Sequence, residues 1–348
     1  MKRRKSKEIK IGSVKIGADH PIAVQSMTFT KTANAAATVE QILSLERAGC
    51  DIVRFSVPDE ESAKSISYIK EHTHIPLVAD IHFNYKLALA ALERGIDKIR
   101  INPGNIGSPE RIKAVADACR MRGVPIRIGV NGGSLEKHIL AKYGSPTPEA
   151  LCESALYHVR LLEQFDFTDI VVSIKSSDVA DTVRANRLFA EKTDYPLHLG
   201  VTEAGTERMG IIKSSAGIGS LLLDGIGDTI RVSLTDEVEK EVAAARDLLK
   251  ALELRGGVNI VSCPTCARTN IDVIGLATRL HALLDDCEKN IKVAVMGCAV
   301  NGPGEAKDAD IGIAGGMGEA LLIKHGEIVG KIPEDRVIET LMAEIEKL

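Results

Sequence analysis

The chain has 348 residues, of which 45% are hydrophobic and 26% charged, a composition typical of a soluble globular protein and not of a disordered chain. The formal net charge is -4, there is no Trp, and aromatic residues make up only 3%. Without a basic excess or aromatic stacking platforms, nucleic-acid binding is not predicted. No apolar run reaches membrane-spanning length, so no membrane association is predicted either.

The first two thirds of the chain alternate short β-branched runs with helical segments, after a basic N-terminal stretch that is predicted to be a solvated tail and not a secretory signal. The runs begin at Ile22, Ile52, Pro76, Lys98, Pro125, Ile170, Pro196 and Asp228. Eight β-α units over about 250 residues match a (β/α)8 TIM barrel. A doubly wound open sheet is the alternative, but no strand-to-helix turn carries the glycine fingerprint of dinucleotide folds.

The last third is predicted to form a second, smaller α/β domain. A final barrel helix is expected over residues 236–254, followed by the short hinge-like sequence RGGV. Three further strands, two helices and a hairpin turning at His325 and Gly326 then follow. We therefore predict a TIM barrel over residues 1–254, a linker at 255–258 and a small α/β domain over 259–348.

Five predicted barrel strands carry a cation flanked by apolar or small residues. Because strand side chains alternate, these cations are expected to point into the barrel near its C-terminal mouth, where barrel enzymes have their active sites. Inward carboxylates such as Asp80 or Glu203 are expected to pair with one or two of them, so an anion, and a diphosphate in particular, should complete the site. The five are Arg54, Arg100, Arg127, Lys175 and Arg231.

Polar residues are predicted at the same level of the barrel. Glu203, in VTEAG, is the best candidate for acid-base chemistry because a carboxylate at the mouth is placed to carry a proton, and His82, in DIHF, is the next. The other polar residues expected there are Ser26, Asn102, Asn131, Ser176 and Ser233.

Seven cysteines at irregular spacing indicate a reducing cytoplasm and no disulfide framework. Cys50, Cys119, Cys152 and Cys287 fall just before a strand or in helical patterns, where buried structural thiols are expected. The remaining three, with a nearby carboxylate, are Cys263 and Cys266 in CPTC, Cys298 in MGCAVNGPGEA, and Glu305. Three thiolates and a carboxylate suit an iron-sulfur cluster with one exchangeable iron, while a zinc site and a redox disulfide remain open.

Long motifs in both parts of the sequence resemble the 4-hydroxy-3-methylbut-2-enyl diphosphate synthase family. These motifs are QSMT at Gln25, DIHF at Asp80, IRINPGNIG at Ile99, IRIGVN at Ile126, SCPTCART near Cys263 and GCAVNGPGEA near Cys298. The resemblance covers essentially the whole chain and the two-domain length is similar to the bacterial form. One difference is that Phe29 follows QSMT where the family usually has Asn, which puts one contact at the mouth in doubt.

The resemblance implies an enzyme of the non-mevalonate isoprenoid pathway. Such enzymes reductively open 2-C-methyl-D-erythritol 2,4-cyclodiphosphate, using electrons from a flavodoxin or ferredoxin. It also implies a TIM barrel followed by an iron-sulfur domain similar to those of sulfite and nitrite reductases. By motif, Cys263, Cys266, Cys298 and Glu305 would hold a 4Fe-4S cluster, and the substrate oxygen would displace Glu305 from the unique iron.

The same resemblance assigns roles to the barrel residues. Glu203 and His82 would contact the substrate near its reacting carbons. The diphosphate clamp would consist of Arg54, Arg100, Arg127, Asn131, Lys175, Arg231 and Ser233.

Two other classes of function stay open on the residues alone. One is a non-redox barrel enzyme acting on a diphosphate, similar to pteroate synthases, or one using Lys175 as a Schiff base, with a structural zinc domain. The other is an assembly or binding protein that uses a cluster as a sensor, which leaves the barrel cations unexplained.

Chain length also predicts a head-to-tail homodimer with a shared active site. The last barrel helix runs away from the mouth, and RGGV is too short to return the chain to it. A second chain is therefore expected to bring its cysteines to the mouth.

Overall fold

The computed structural model describes residues 2–17, 19–285, 287 and 289–348. The chain divides into two compact units, one ending at Leu252 and the other beginning at Glu253. No helix among the described residues is both long and apolar enough to span a lipid bilayer.

The first unit is built on a parallel sheet of eight strands within the described residues, each beginning within two residues of its predicted start. The strands are β3 (Ala23–Met27), β4 (Ile52–Ser56), β5 (Leu77–Asp80), β6 (Lys98–Ile101), β7 (Ile126–Asn131), β8 (Ile170–Lys175), β9 (His198–Leu199) and β10 (Thr229–Ile230). A bridge from Val172 of β8 to Leu197, beside β9, joins the two ends of the sheet. The predicted (β/α)8 barrel is confirmed, and the open-sheet alternative is wrong.

Helices on the outside of the barrel connect these strands. They are α1 (Ala35–Arg47), α2 (Glu60–Glu71), α3 (Tyr85–Glu93), α4 (Pro103–Ile106), α5 (Pro109–Arg122), α6 (Lys137–Tyr143), α7 (Pro148–Glu163), α8 (Val179–Ala190), α9 (Glu207–Leu223) and α10 (Val238–Ala251). Local signals set their ends: the Asp59 carboxylate accepts from the backbone N–H of Ser62 at the start of α2, and α5 ends at Gly123, whose φ is 63°.

A short hairpin, β1 (Ile9–Ile11) and β2 (Val14–Ile16), covers the N-terminal end of the barrel. Its buried isoleucines pack on the first inward-facing residues of the barrel strands. The cluster consists of Ile9, Ile11, Ile16, Ala23, Ile52, Val78 and Val171. The hairpin therefore closes the barrel at the end opposite the mouth.

The basic N-terminal segment does not form the predicted solvated tail. Arg3 donates to the Gly227 carbonyl at 3.0 Å, and its Nη2 lies 3.2 Å from Asp228 Oδ1. Arg4 donates to the carbonyls of Thr193 and Tyr195, both at 2.6 Å. The prediction was wrong because these arginines bind carbonyls and a carboxylate on distant loops, which periodicity does not reveal.

The second unit is a five-stranded sheet with helices packed on it. Its strands lie in the order β11 (Val258–Ser262), β12 (Ile291–Met296), β13 (Ile311–Gly315), β14 (Glu319–Lys324) and β15 (Glu327–Pro333), the first three parallel and the last two antiparallel. The helices are α11 (Val273–Leu284), α12 (Gly302–Glu305) and α13 (Val337–Ile345). The predicted hairpin turn is present, with φ of 46° at His325 and 82° at Gly326.

Four elements in this part of the chain have boundaries that differ from the predicted ones. Helix α10 covers only Val238–Ala251 instead of 236–254, and β11 begins at Val258, inside the predicted linker. The closing helix begins at Val337, because Pro333 ends β15 and a 3-10 turn (Glu334–Arg336) intervenes. Helix α11 ends at Leu284, so Cys287 lies beyond it rather than within it.

Candidate active site

The predicted cations face the interior of the barrel, together with one that the sequence argument missed, Lys98. Lys98 on β6 contacts the side-chain oxygen of Gln25 on β3, at 3.3 Å, and these two strands are not neighbours in the sheet, so the contact crosses the barrel. We call the set the barrel cations: Arg54, Lys98, Arg100, Arg127, Lys175 and Arg231.

Asp80, at the end of β5, pairs with two of the barrel cations. Arg100 Nη1 donates to Asp80 Oδ1 at 2.9 Å, and Arg54 Nε lies 3.6 Å from Asp80 Oδ2. Burial works to raise the pKa of Asp80, but Arg54, Arg100 and Arg127 outweigh it and the pKa is lowered. Asp80 is therefore ionised at neutral pH and fixes two guanidinium groups.

Glu241 on α10 is the second buried carboxylate at the site, and Arg231 binds it through both ends of its guanidinium fork. The Nε and Nη2 atoms of Arg231 donate to the two carboxylate oxygens, each at 3.2 Å. Ser26 Oγ and the backbone N–H of Leu234 also donate to Glu241, both at 3.0 Å. Glu241 thus connects α10 to β3 and to the segment after β10 through hydrogen bonds to one carboxylate.

Carboxylates therefore pair with three of the five predicted cations, one more than the sequence argument allowed. The extra partner is Glu241, which lies on a helix and not on a strand. The Met27 sulfur lies between two of the paired arginines, 2.8 Å from Arg54 Nη2 and 3.7 Å from Arg231 Nη1.

Arg127 has no carboxylate partner within the described part of the chain. Its side chain is 1% exposed, and its Nε and Nη2 atoms are buried without a hydrogen-bond partner among the described residues. Burial, and then the charges of Arg54 and Arg100, lower the pKa of Arg127 well below its ordinary value. A buried guanidinium of this kind needs an anionic ligand to compensate its charge.

Among the described residues, the buried lysines of the barrel, Lys98 and Lys175, form hydrogen bonds only with neutral groups. The nearest hydrogen-bond partner of Lys175 Nζ is His198 Nε2 at 3.4 Å, and Lys98 contacts Gln25. Burial and the neighbouring arginines lower the pKa of both lysines well below the ordinary value. An added Cβ at Gly200 would lie 2.6 Å from Lys175 Nζ, so the absence of a side chain there makes room for the amine.

The barrel cations do not lie at one level, which corrects the sequence-based expectation. Arg127 is the second of the six residues of β7, whereas Lys175 is the last residue of β8 and Arg231 follows the end of β10. Register places Asn131, four residues beyond Arg127, beside Lys175. The cations line the interior from mid-depth to the mouth.

The remaining predicted residues lie at or near the rim. Asn131 and Ser233 are partly buried at the ends of their strands or just beyond them, whereas His82 and Glu203 are exposed on the loops after β5 and β9. Glu203 has a left-handed φ of 54°, a strained conformation for a residue with a side chain. Phe29, the residue that differs from the family motif, is 73% exposed.

Other predicted polar residues have local structural partners. Asn102 caps α4 through the N–H of Gly104, and Ser176 accepts from the N–H of Asp178. Ser26 is the exception, because it donates to Glu241 beside Arg231.

In the second unit, three cysteines and Glu305 border one cavity of about 140 Å³, which we call the thiol cavity; its lining also includes Arg268 and Asn301. Strands β11 and β12 are parallel neighbours, so their carboxyl ends bring Cys263 close to Cys298. Glu305 closes the short helix α12 that follows Cys298.

Backbone N–H groups converge on the three sulfur atoms. The N–H of Gly297 donates to Cys263 Sγ at 3.1 Å. Hydrogen bonds from the N–H of Arg268 lower the pKa of Cys266, and those from Asn301 and Val300 lower the pKa of Cys298. Thiolate-stabilising N–H groups around a cavity fit a cluster held by cysteine thiolates.

Among the described residues, no group of three Cys, His, Asp or Glu side chains converges closely enough to hold a single metal ion. Cys50, Cys119 and Cys152 are buried in the first unit, and Cys287 packs against the core of the second unit. Burial raises the pKa of Cys50 to about 12, as expected of a structural thiol.

Family models match both units. The GcpE TIM-barrel domain matches residues 6–246, and the GcpE protein C-terminal domain matches residues 259–347. The chain belongs to the GcpE family.

Curated relatives extend this match over full length. A protein of Caldicellulosiruptor saccharolyticus is 59% identical over 343 residues, covering 99% of both chains, and one of Ruminiclostridium cellulolyticum is 56% identical over 349 residues, covering 100% of this chain and 99% of that one. A protein of Clostridium perfringens is 54% identical over 349 residues, covering 100% of both chains. All three relatives are named 4-hydroxy-3-methylbut-2-en-1-yl diphosphate synthase (flavodoxin).

Solved structures similar to this GcpE chain match its barrel fold. A dihydropteroate synthase from Stenotrophomonas maltophilia has a TM-score of 0.53 at 16% identity, covering 71% of this chain and 97% of that one. An N-acetylneuraminic acid synthetase from Leptospira borgpetersenii has a TM-score of 0.51 at 14% identity, covering 71% of this chain and 90% of that one. At such identities the likeness is one of fold alone.

Three residues of this site were not predicted from the sequence, although each has a recognisable signal there. Lys98 is two residues before Arg100 and so shares its face of β6. His198 is a polar residue within an apolar strand. Glu241 lies on the buried stripe of α10, between Val238 and Ala245, where a carboxylate needs a partner.

Proposed function

We propose that this chain catalyses the reductive ring opening and dehydroxylation of 2-C-methyl-D-erythritol 2,4-cyclodiphosphate to 4-hydroxy-3-methylbut-2-enyl diphosphate. The reaction consumes two electrons, which a flavodoxin or a ferredoxin supplies, and releases one water. The observation that carries the proposal is the full-length relationship, 59% identity over 99% of both chains, to a relative named for this activity. That relationship favours the synthase over a non-redox, pteroate-synthase-like enzyme, since the pteroate synthases match the barrel fold alone.

The barrel supplies the binding half of the activity. Arg54, Arg100, Arg127, Lys175 and Arg231 bind the diphosphate, with Asn131 and Ser233 at the rim beside them. Arg127 supports this role most directly, because its Nε and Nη2 are buried without a hydrogen-bond partner among the described residues, and an anion would provide one. Glu203 and His82, exposed at the rim, contact the part of the substrate that reacts.

The thiol cavity supplies the redox half. Cys263, Cys266 and Cys298 would hold a 4Fe-4S cluster through their thiolates, with Glu305 as a fourth, oxygen ligand. When bound, such a cluster delivers electrons singly and offers a Lewis-acidic iron. Glu305 lies at the exposed edge of the cavity, where a carboxylate ligand can be exchanged.

Protein purified without oxygen is expected to be brown and to contain about four irons and four sulfides per chain, because thiolate-to-iron charge transfer colours such clusters. Iron, sulfide and zinc analysis measures this directly. Cys287→Ser provides a matched control, since Cys287 is in the same unit but outside the thiol cavity, and it should keep its full iron content. One zinc per chain without sulfide would exclude the cluster.

We further propose that two chains share each active site, in a head-to-tail homodimer. The 14 residues of α10 carry the chain about 21 Å away from the mouth. The connector, residues 252–257, would reach about 20 Å if fully extended, but it turns, with φ of 55° at Glu253 and 133° at Gly257. A connector that turns spans less than its extended length, and so less than the length of α10, which favours cysteines supplied by a second chain.

Mixing two variants tests the shared site, at a substrate concentration too low for either variant alone to turn over measurably. Chains carrying Arg127→Met have a damaged barrel, and chains carrying Cys298→Ser have a damaged thiol cavity. After subunit exchange, half of the dimers are mixed and each has one intact site, so about a quarter of the wild-type activity should return. If exchange is demonstrated and the mixture stays as inactive as its parents, each site belongs to a single chain.

A further inference from the structure

Lys175 differs from the arginines around it in the surroundings of its terminal nitrogen, Nζ. It ends β8 at the mouth and is 6% exposed. Its hydrogen-bond partner is His198, which lies on β9 and is fully buried. Burial, and then Arg127 and Lys175, lower the pKa of His198 well below its ordinary value, so its ring is neutral. His198 Nδ1 lies 2.8 Å from Thr229 Oγ1, so the ring is held between Thr229 and Lys175 and offers the lysine a neutral hydrogen-bond partner.

Four guanidinium groups face Lys175 across the barrel interior. They are Arg54 on β4, Arg100 on β6, Arg127 on β7 and Arg231 after β10. The two inward carboxylates among the described residues, Asp80 on β5 and Glu241 on α10, are already bound to arginines.

Among the cations at the mouth, a lysine loses its proton more readily than the arginines around it. Arginine keeps its proton in almost any protein environment, whereas a desolvated lysine readily becomes a neutral amine. Burial is the largest cause that lowers the pKa of Lys175, and the four arginines add to it. Lys98 is also buried, but it begins β6, far from the mouth, where a ligand would contact Lys175 first.

We propose that binding of the cyclodiphosphate protonates Lys175, so that one proton is taken up from solvent with each substrate bound. This inference rests on the proposed function, because it requires a diphosphate among the barrel cations. The negative charge of the ligand offsets the four arginines and gives the ammonium a hydrogen-bond acceptor. The proton passes from water or buffer to the Nζ lone pair, and no bond in the ligand changes.

The substrate itself adds no titration near neutral pH. In the cyclic diphosphate each phosphorus carries one ester oxygen and one bridging oxygen, which leaves a single strongly acidic oxygen on each. Any proton exchanged on binding therefore belongs to the protein.

The sign of the pH dependence follows from this difference. The complex holds one proton more than the free protein, so affinity falls as the pH rises from the pKa of Lys175 in the free protein to its higher pKa in the complex. Within that window the fall is at most about tenfold per pH unit for one proton. Below the window, where Lys175 is already protonated in the free protein, affinity is constant.

Isothermal titration calorimetry tests the inference on the anaerobic holoenzyme, with no electron donor so that the cyclodiphosphate is not consumed. Titrations at one pH in buffers of different ionisation enthalpy are expected to give an uptake of about one proton per substrate. Binding without proton uptake and without pH-dependent affinity would overturn the inference and leave the proposed function intact. Absence of binding would overturn both.

Two variants test whether Lys175 is the residue that takes up the proton. Lys175→Arg keeps the positive charge but is protonated before binding, so proton uptake should vanish while binding persists. Lys192→Arg, the same change at an exposed position, should take up one proton as the wild type does. If the larger side chain beside Gly200 prevents folding, Lys175→Met should bind more weakly and likewise take up none. Undiminished uptake in a folded Lys175 variant would show that Lys98 or His198 is the acceptor and that the assignment is wrong.

Discussion

Replacing Arg127 with Met is expected to stabilise the free protein while weakening its affinity for the cyclodiphosphate. The guanidinium is buried and its Nε and Nη2 have no partner among the described residues. Exchanging it for an apolar side chain of similar length should raise the free energy of unfolding by about 1–3 kcal/mol. Loss of a buried charged contact with the ligand should cost about 2–4 kcal/mol, or roughly 30- to 1,000-fold in Kd.

Arg231→Met is the matched control, because Arg231 is also predicted to bind the diphosphate but is paired with Glu241. Its removal should weaken substrate binding and also destabilise the barrel, since Glu241 would remain buried with only Ser26 and Leu234 as hydrogen-bond donors. Calorimetric unfolding of the barrel and substrate titration measure the two effects. Equal loss of stability in both variants would mean that Arg127 has a protein partner, and unchanged affinity in both would place the diphosphate elsewhere.

Glu305→Ala is expected to abolish most turnover while retaining most of the iron, and Cys298→Ser is expected to lose both. Cys298 is buried against the thiol cavity and receives backbone N–H groups, as a permanent ligand should. Glu305 is exposed at the edge of the same cavity, and a hard oxygen ligand is released more readily than a thiolate. The expected result is that three thiolates retain the proposed cluster, whereas Glu305 is needed to control where substrate binds.

Iron analysis, the visible spectrum and turnover with a chemical reductant separate these outcomes. The reductant is needed so that impaired docking of a flavodoxin cannot account for lost activity. Wild-type turnover in Glu305→Ala would remove the carboxylate from the exchange chemistry. Full iron content in Cys298→Ser would show that the thiol cavity does not hold the cluster.

The strand positions of both units could be predicted because each buried strand leaves an apolar run bounded by turn residues. Strand β6 is an example: the run KIRI forms the whole strand, and the alternation of its residues indicates which side chains face inward. Closure of the sheet was predictable only from the number of units, since the bridge between Val172 and Leu197 joins strands without any local signal.

The electrostatic pairing could not be predicted at the same level of detail. Periodicity identifies Arg127 and Lys175 as inward-facing but does not give their depths, which follow from the tilt and register of β7 and β8. Glu241 was not predicted because it lies on a helix. Its ion pair with Arg231 forms only when α10 packs on β3. The sequence therefore predicted more unpaired cations in the barrel than the structure contains.

The ends of elements were the least predictable features. Pro333 is compatible with the first turn of a helix. In the structure it is instead the last residue of β15, because it pairs with Glu319 on the neighbouring strand β14. The N-terminal arginines were predicted to be solvated because nothing in their own sequence announces the carbonyls of Thr193 and Gly227, which lie far along the chain.

The hairpin at the N-terminal end of the barrel has a kinetic consequence. Ile9, Ile11 and Ile16 fill that end, so within the described residues the cationic interior forms a well that opens at the mouth. If the barrel cations bind the diphosphate as proposed, substrate enters and product leaves by this route, and both bind the same arginines. A departing product therefore vacates the well before the next turnover begins, and accumulated product competes directly with substrate for the free enzyme.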